Sequence, residues 1–317
     1  MQVADVDAAH PVRRHRVYWW KEALLALVFY MIYSWTRNQF GSNRLAADGV
    51  PEQPFGNAEK VIRIEQAVGL YHEQRVQAWF LPYRHFIQFW NTWYGIAHFI
   101  VTLAVFAVLF WRRPAVFPQW RNSLGAMTAL AIVGFAFFPL MPPRLLDEPC
   151  PVQSTGEHVS FGGECIPSDL RGADGTFGFV DTLRDFGGPW SFDSEAMASI
   201  SNQYAAMPSL HIGWSTWCAI AMWPLLRRRW SKALWLLYPM LTLFCIVVTA
   251  NHFWLDGIGG LVVFGVGTLI GWGLHRWNQD RLDRKWLAQQ PAAVAASVDP
   301  PAASPTGPDD TAGPALA

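Results

Sequence analysis

Charge is what this sequence has least of. Only 15% of its 317 residues are Asp, Glu, Lys or Arg, where soluble domains carry about a quarter; this argues against an ordinary cytosolic protein. The 24 basic residues balance 24 acidic ones, so no global positive field exists to hold a nucleic-acid backbone, and no nucleic-acid partner is expected. No acidic run marks a solvating tail. Cysteine is scarce, with four in the chain. Cys150 and Cys165 share one connection, where a disulfide is open, and Cys218 and Cys245 fall inside apolar runs as packing residues. Nine His are scattered, with no zinc-type spacing beyond that of His252 and Asp256, so neither metal nor cofactor is expected. No solenoid-type repeat is present.

Apolar residues are abundant instead. They make up 52% of the chain, with 18 Trp and 21 Phe, and amphipathic rings of this kind collect at membrane interfaces. A hydrocarbon core of about 30 Å needs roughly 17 to 25 helical residues. Six windows qualify, approximately Val17 to Trp35, Tyr94 to Phe110, Asn122 to Leu140, Ile212 to Leu226, Ala233 to Ala250 and Phe253 to Leu274. Lys21 and Glu22 lie within snorkelling reach of the first window's start. That window lacks a small-residue cleavage site and reads as a span, not a signal peptide.

Basic residues orient the spans. Arg13, Arg14, Arg16 and Lys21 precede the first; Arg112, Arg113 and Arg121 join the second to the third. Arg227, Arg228, Arg229 and Lys232 join the fourth to the fifth, and Arg276, Arg281, Arg284 and Lys285 follow the sixth. An alternating six-span arrangement puts all of these on one side, which the positive-inside rule makes cytoplasmic. The expectation is an all-α integral membrane protein of six transmembrane helices with both termini inside. Residues 1–16 form a cytoplasmic segment, 17–275 the six-span domain, and 276–317 a basic, then Ala- and Pro-rich, disordered tail. Two outward connections, about 38–93 and 141–209, face the exterior. The first carries apolar residues at helical spacing, including Val61, Ile64, Val68, Tyr71, Val76, Trp79, Phe80, Phe86, Phe89 and Trp90. It reads as amphipathic helices on the outer interface, broken near Pro82, or as a helical hairpin packed on the bundle.

Ionisable residues gathered at one end of the spans are default functional candidates. Arg144 follows the third span, His211 opens the fourth, and His252 and Asp256 open the sixth. His252 and Asp256 stand at i, i+4, on one helix face. An Asp there accepts from one imidazole nitrogen, fixes the tautomer and leaves the other nitrogen nucleophilic. A capped helix start or interhelical polar glue is the other reading of the pair. Ser209 stands where a helix start suits a phosphate oxygen, or it is a plain N-cap. Arg144 and Arg37 read as interfacial anchors or as phosphate clamps. His98 reads as hydrogen-bonded bundle interior and His158 as solvated. Glycines of the sixth span, Gly257, Gly259, Gly260, Gly265 and Gly267, allow close packing on a helix of this or another chain.

Pro208-Ser209-Leu210-His211, followed by His252-x-x-x-Asp256 and preceded by Arg144, resembles the type-2 phosphatidic acid phosphatase superfamily. The likeness spans about Pro139 to Gly260 by motif. Leu210 replaces the family's Gly, and Pro142-Pro143-Arg144 replaces its Lys and Arg-Pro motif; both are similar to the branch that includes inositol phosphorylceramide synthase. Cys245-Ile246 stands where the family has Ser-Arg, so one phosphate-binding Arg is missing and Arg37 or Arg144 is left to supply its charge. The resemblance implies that His252 attacks phosphorus to form a phosphohistidine, Asp256 orients it, and His211 protonates the leaving oxygen. Arg144, Ser209 and Arg37 are then the phosphate-binding set. It implies a metal-independent hydrolase or transferase in the plasma membrane, with its site on the extracytoplasmic face. The expected partners are membrane lipids, a lipid phosphate substrate and, for transfer, a polyol acceptor such as inositol. Two rival readings are a transporter using these residues as an anion or proton pathway and a non-catalytic scaffold that keeps the fold.

Overall fold

The computed structural model describes residues 18–40, 49–151, 160–187 and 202–289. Among them the chain is helical, and its one extended pairing is a single bridge between Leu140 and Ala205. Arg13, Arg14, Arg16, His158 and the tail beyond residue 289 lie outside the described residues. The chain divides into two units, Met1–His275 and Arg276–Ala317. The candidate site belongs to the first.

The helices are α1 (Trp19–Phe40), α2 (Glu52–Ala67), α3 (Glu73–Phe80), α4 (Arg84–Arg112), α5 (Phe117–Phe137), α6 (Thr182–Asp185), α7 (Leu210–Met222), α8 (Arg229–Val248) and α9 (Trp254–Gln289). Prolines set several boundaries. Pro82 separates α3 from α4, Pro118 sits in the first turn of α5, and α5 stops at Phe137 ahead of Pro139, because a residue before proline is pushed out of helical geometry. Pro239 lies inside α8 and leaves the Trp235 carbonyl without its helical donor.

Three helices are long and apolar enough to cross a membrane: Arg84–Arg112, Arg229–Val248 and the Trp254–Lys285 stretch of α9. The other three expected spans fall short for separate reasons. At 13 residues, α7 rises only about 20 Å. Charged and polar residues dilute the starts of α1, at Lys21 and Glu22, and of α5, at Gln119, Arg121 and Asn122. Glu22 and Arg121 neutralise one another across these two helices at 2.6 Å.

The short α7 is the hub and packs against α4, α5 and α8. Trp217 and Cys218 on α7 have no exposed surface, and the Trp217 indole donates to the Trp120 carbonyl on α5 at 3.1 Å. Within this chain, α9 approaches through small residues. A Cβ added at Gly260 would lie 2.4 Å from the Ser209 carbonyl oxygen, and one at Gly267 would lie 2.7 Å from the Met127 backbone. Gly265, by contrast, faces open space.

Outside the bundle, α2 packs Phe55, Ala58, Val61 and Ile62 against Leu140, Met141, Leu145 and Leu146. Ile64, Val68, Trp79 and Phe89, apolar positions of the same sequence pattern, are exposed. The segment thus buries one apolar face on the protein and presents other apolar side chains outward. Cys150 and Cys165 are joined by a disulfide. Cys218 and Cys245 are free and buried. From outside the bridged loop the Arg171 guanidinium pairs with Asp147 at 2.8 Å and donates to the carbonyl of Gly163, within the loop, at 3.0 Å. Asp147 in turn accepts from the Phe177 and Phe179 amides, so the chain is tied down just after Arg144.

Candidate active site

His252 follows a tight turn rather than opening the helix directly. α8 ends at Val248, and Ala250 takes a left-handed backbone with φ of 50°. That conformation costs a residue with a Cβ about 1 to 2 kcal/mol. Here it lets the Asn251 amide reach back to the Ile246 carbonyl at 2.9 Å and close the helix end. The turn is also held from a neighbouring segment, since the Ala250 carbonyl accepts from the Arg144 amide at 2.8 Å.

From this turn the His252 ring enters the protein with 3% of its surface exposed. Its Nδ1 lies 3.2 Å from Asp256 Oδ2, the i, i+4 contact expected of the pair. The same oxygen accepts from the Phe253 amide at 3.0 Å, so Asp256 caps the first turn of α9 and orients the ring together. An acceptor at Nδ1 assigns the ring proton there and leaves the Nε2 lone pair open. Nε2 faces Ser209, whose hydroxyl lies 3.5 Å away. Ser209 precedes α7 but its side chain caps nothing; its amide instead donates to the Asp256 carbonyl at 2.9 Å. Backbone thus fixes the start of α7 to the start of α9.

The His211 ring stands 5.6 Å from the His252 ring and is stacked on Tyr94 at 4.3 Å. Its Nε2 is buried with no hydrogen-bond partner among the described residues, as is Asp256 Oδ1. Buried polar atoms without partners are rare and collect where a ligand or a reacting group completes them. His98 also belongs to this cluster. Its ring is 4.4 Å from that of His211, and its Nδ1 meets the Tyr94 carbonyl at 3.0 Å.

Arg144 is brought to the turn that carries His252, 8% exposed. All three of its nitrogens are engaged: Nε donates to Asn251 at 2.9 Å, one terminal nitrogen pairs with Asp181 at 2.5 Å, and the other donates to Gln203. Asp181 itself caps α6 by accepting from the Leu183 and Arg184 amides. Asp181, Gln203, Asn251 and Tyr94 were not foreseen as site residues. The cap position of Asp181 before Thr182 was the one local signal available. The side chain of Arg37 lies outside the described residues.

A helical membrane protein with two histidines and an aspartate converging at one end of its bundle is the class that fold and site define. The family model of the PAP2 superfamily matches residues 59–270, from α2 through the body of α9, and the chain belongs to that superfamily. α1 lies outside the match. No curated protein and no solved structure matches the chain. Membership of the superfamily points to phosphatase-type chemistry on lipid phosphates.

Proposed function

We propose that this protein is a six-span enzyme of the cell membrane, with both termini cytoplasmic. It acts at the outer face on a lipid phosphate or phosphodiester through a phosphohistidine at His252. The observation that carries this reading is the hydrogen bond from His252 Nδ1 to Asp256, with Nε2 left facing Ser209 and His211 beside it. Support for the topology comes from the Glu22–Arg121 pair, which puts the starts of α1 and α5 at one end, as two outward-running helices require.

In the first step Nε2 of His252 forms a bond to phosphorus while the bond to the leaving oxygen breaks, and His211 gives that oxygen a proton. In the second, His211 takes a proton from water or from a polyol hydroxyl, whose oxygen displaces the histidine. Asp256 stabilises the ring as it becomes positive. The Ser209 hydroxyl and the N–H groups of Arg144 beyond its three bonds hold the equatorial oxygens. Arg37 is the further phosphate ligand in place of the family's missing Arg. The proposed steps call on no divalent metal, because His252 supplies the nucleophile and His211 the proton. Transfer to a polyol such as inositol, in place of hydrolysis, is supported by Leu210 and by Pro142-Pro143-Arg144, the two similarities to the inositol phosphorylceramide synthase branch.

Product analysis by mass spectrometry tests the reading. Purified wild type and His252→Ala are given lipid phosphates and phosphoinositides in chelator, with and without inositol. Product from wild type alone supports the histidine mechanism, and free phosphate against a new phosphodiester separates hydrolysis from transfer. Turnover that is equal in the two proteins, or absent from both, sinks it in favour of a transporter or scaffold.

A further inference from the structure

The first turn of α9 presents backbone N–H groups that its own helix cannot use, and three successive ones are taken by carboxylates. Phe253 donates to Asp256 at 3.0 Å, Trp254 to Glu73 Oε1 at 3.1 Å and Leu255 to Glu65 Oε1 at 2.8 Å. Asp256 is local to α9. Glu65, near the end of α2, and Glu73, at the start of α3, arrive from 190 and 181 residues away in sequence. Both glutamates have no exposed surface. Their remaining oxygens, Oε2 in each case, are buried without a partner among the described donors, and the amides that the two carboxyls hold, those of Trp254 and Leu255, are consecutive in the chain. Two buried carboxyls held side by side on one helix start are relieved of like-charge repulsion only when one of them carries a proton.

We infer that Glu65 and Glu73 share one proton and act as a positioning pair, gripping the N-terminus of α9 from outside the bundle and through it fixing His252. What is positioned rests on the phosphohistidine reading; the pair itself does not. A helix N-terminus carries about half a positive charge, too little to balance three full carboxylates in a buried site, and a shared proton removes one of them. Burial is the largest influence on Glu65 and pushes its carboxyl well above the usual range. The hydrogen bond and charge of Glu73, and the charge of Asp256, push the same way, while the Leu255 amide opposes them. Asp256 and Tyr71 are the titratable groups facing the pair. Burial, followed by the charges of Glu73, Glu65 and Asp147, raises the Tyr71 phenol above its ordinary value, so it stays neutral. Because Glu65 is raised on folding, its stabilising contribution is complete below the ordinary carboxylate pKa and is lost as pH climbs through the raised value.

Gln substitutions test the pair. In either single variant, Glu65→Gln or Glu73→Gln, the amide oxygen still caps α9 and an N–H replaces the shared proton. The double variant sets two amide NH2 groups against each other with no acceptor. Melting of the full chain in detergent is followed from about pH 6 to pH 10, across the window in which a raised carboxyl deprotonates. Wild type is expected to lose stability with rising pH, and Glu65→Gln to lose visibly less. On the lipid phosphate that wild type turns over, each single variant should hold kcat within about twofold. The double variant should lose on the order of 100-fold in kcat, the cost of a misplaced nucleophile, with KM little changed. A double variant with wild-type kcat, or a Glu65→Gln melting profile as steep as wild type, overturns the inference. His252→Ala runs alongside: if it turns lipid over normally the phosphohistidine reading fails, while the melting profiles still decide the pair.

Discussion

Ser209 and His252 stand 43 residues apart in sequence and meet with the serine hydroxyl 3.5 Å from Nε2 of the imidazole. That distance is too long for a strong hydrogen bond, so the hydroxyl neither caps its own helix nor locks the histidine. In the proposed reaction it borders the space of an oxygen on the phosphorus that Nε2 attacks. Ser209→Ala is therefore expected to reduce kcat by about 10²-fold, as loss of one preorganised donor does, with stability changed by less than ~1 kcal/mol. Single-turnover kinetics beside thermal melting separate the two effects. An unchanged kcat would remove Ser209 from the phosphate-binding set.

Arg144 is the residue whose surroundings differ most from the free clamp that the motif suggests. Its charge is met by Asp181 at 2.5 Å, with both side chains largely buried, so part of its pull on an anion is already spent within the protein. Asp181→Asn keeps the Oδ1 acceptor that caps α6 while removing the opposing charge. The variant should bind inorganic phosphate or vanadate more tightly and melt lower, since its amide NH2 would face the Arg144 donor in place of an acceptor and breaking a buried pair costs about 3 to 5 kcal/mol. Inhibition constants for both anions against the wild type check this. Weaker anion binding in Asp181→Asn would mean that Asp181 holds Arg144 in place rather than competing for it.

The sequence made the contact of His252 with Asp256 legible and hid its supports, for a physical reason. His252 and Asp256 are linked by the local geometry of a helix turn, and Pro82 acts on the residues beside it, so both could be read from spacing alone. Asp181 and Gln203 reach Arg144 from an irregular connection with no periodicity to place them. Glu65 and Glu73 leave no mark in an apolar period, which assigns a glutamate to the solvent side by default, whereas both are buried on helix amides. Ile64 and Val68 are apolar at the same helical spacing and exposed. Next to a membrane, an apolar stripe has two destinations, the protein core and the lipid, and its period does not distinguish them.

Gly260 tests whether the two helix starts must touch for the site to work. A Cβ there would fall 2.4 Å from the Ser209 carbonyl oxygen, a backbone atom that cannot rotate aside. In Gly260→Ala, α9 has to withdraw from α7, which stretches the 2.9 Å bond from the Ser209 amide to the Asp256 carbonyl and parts His252 from Ser209 and His211. Overpacking of this kind costs about 1 to 3 kcal/mol, and turnover should fall further than that loss of folded protein explains. Gly265→Ala is the matched control on the same helix. Its Cβ would meet nothing within 4 Å, and alanine is the better helix former by up to ~1 kcal/mol, so melting should hold or rise and activity should be unchanged. If the two variants lose activity and stability equally, the contact at Gly260 is not what aligns the site; a loss confined to Gly260→Ala ties turnover to the junction of α7 and α9.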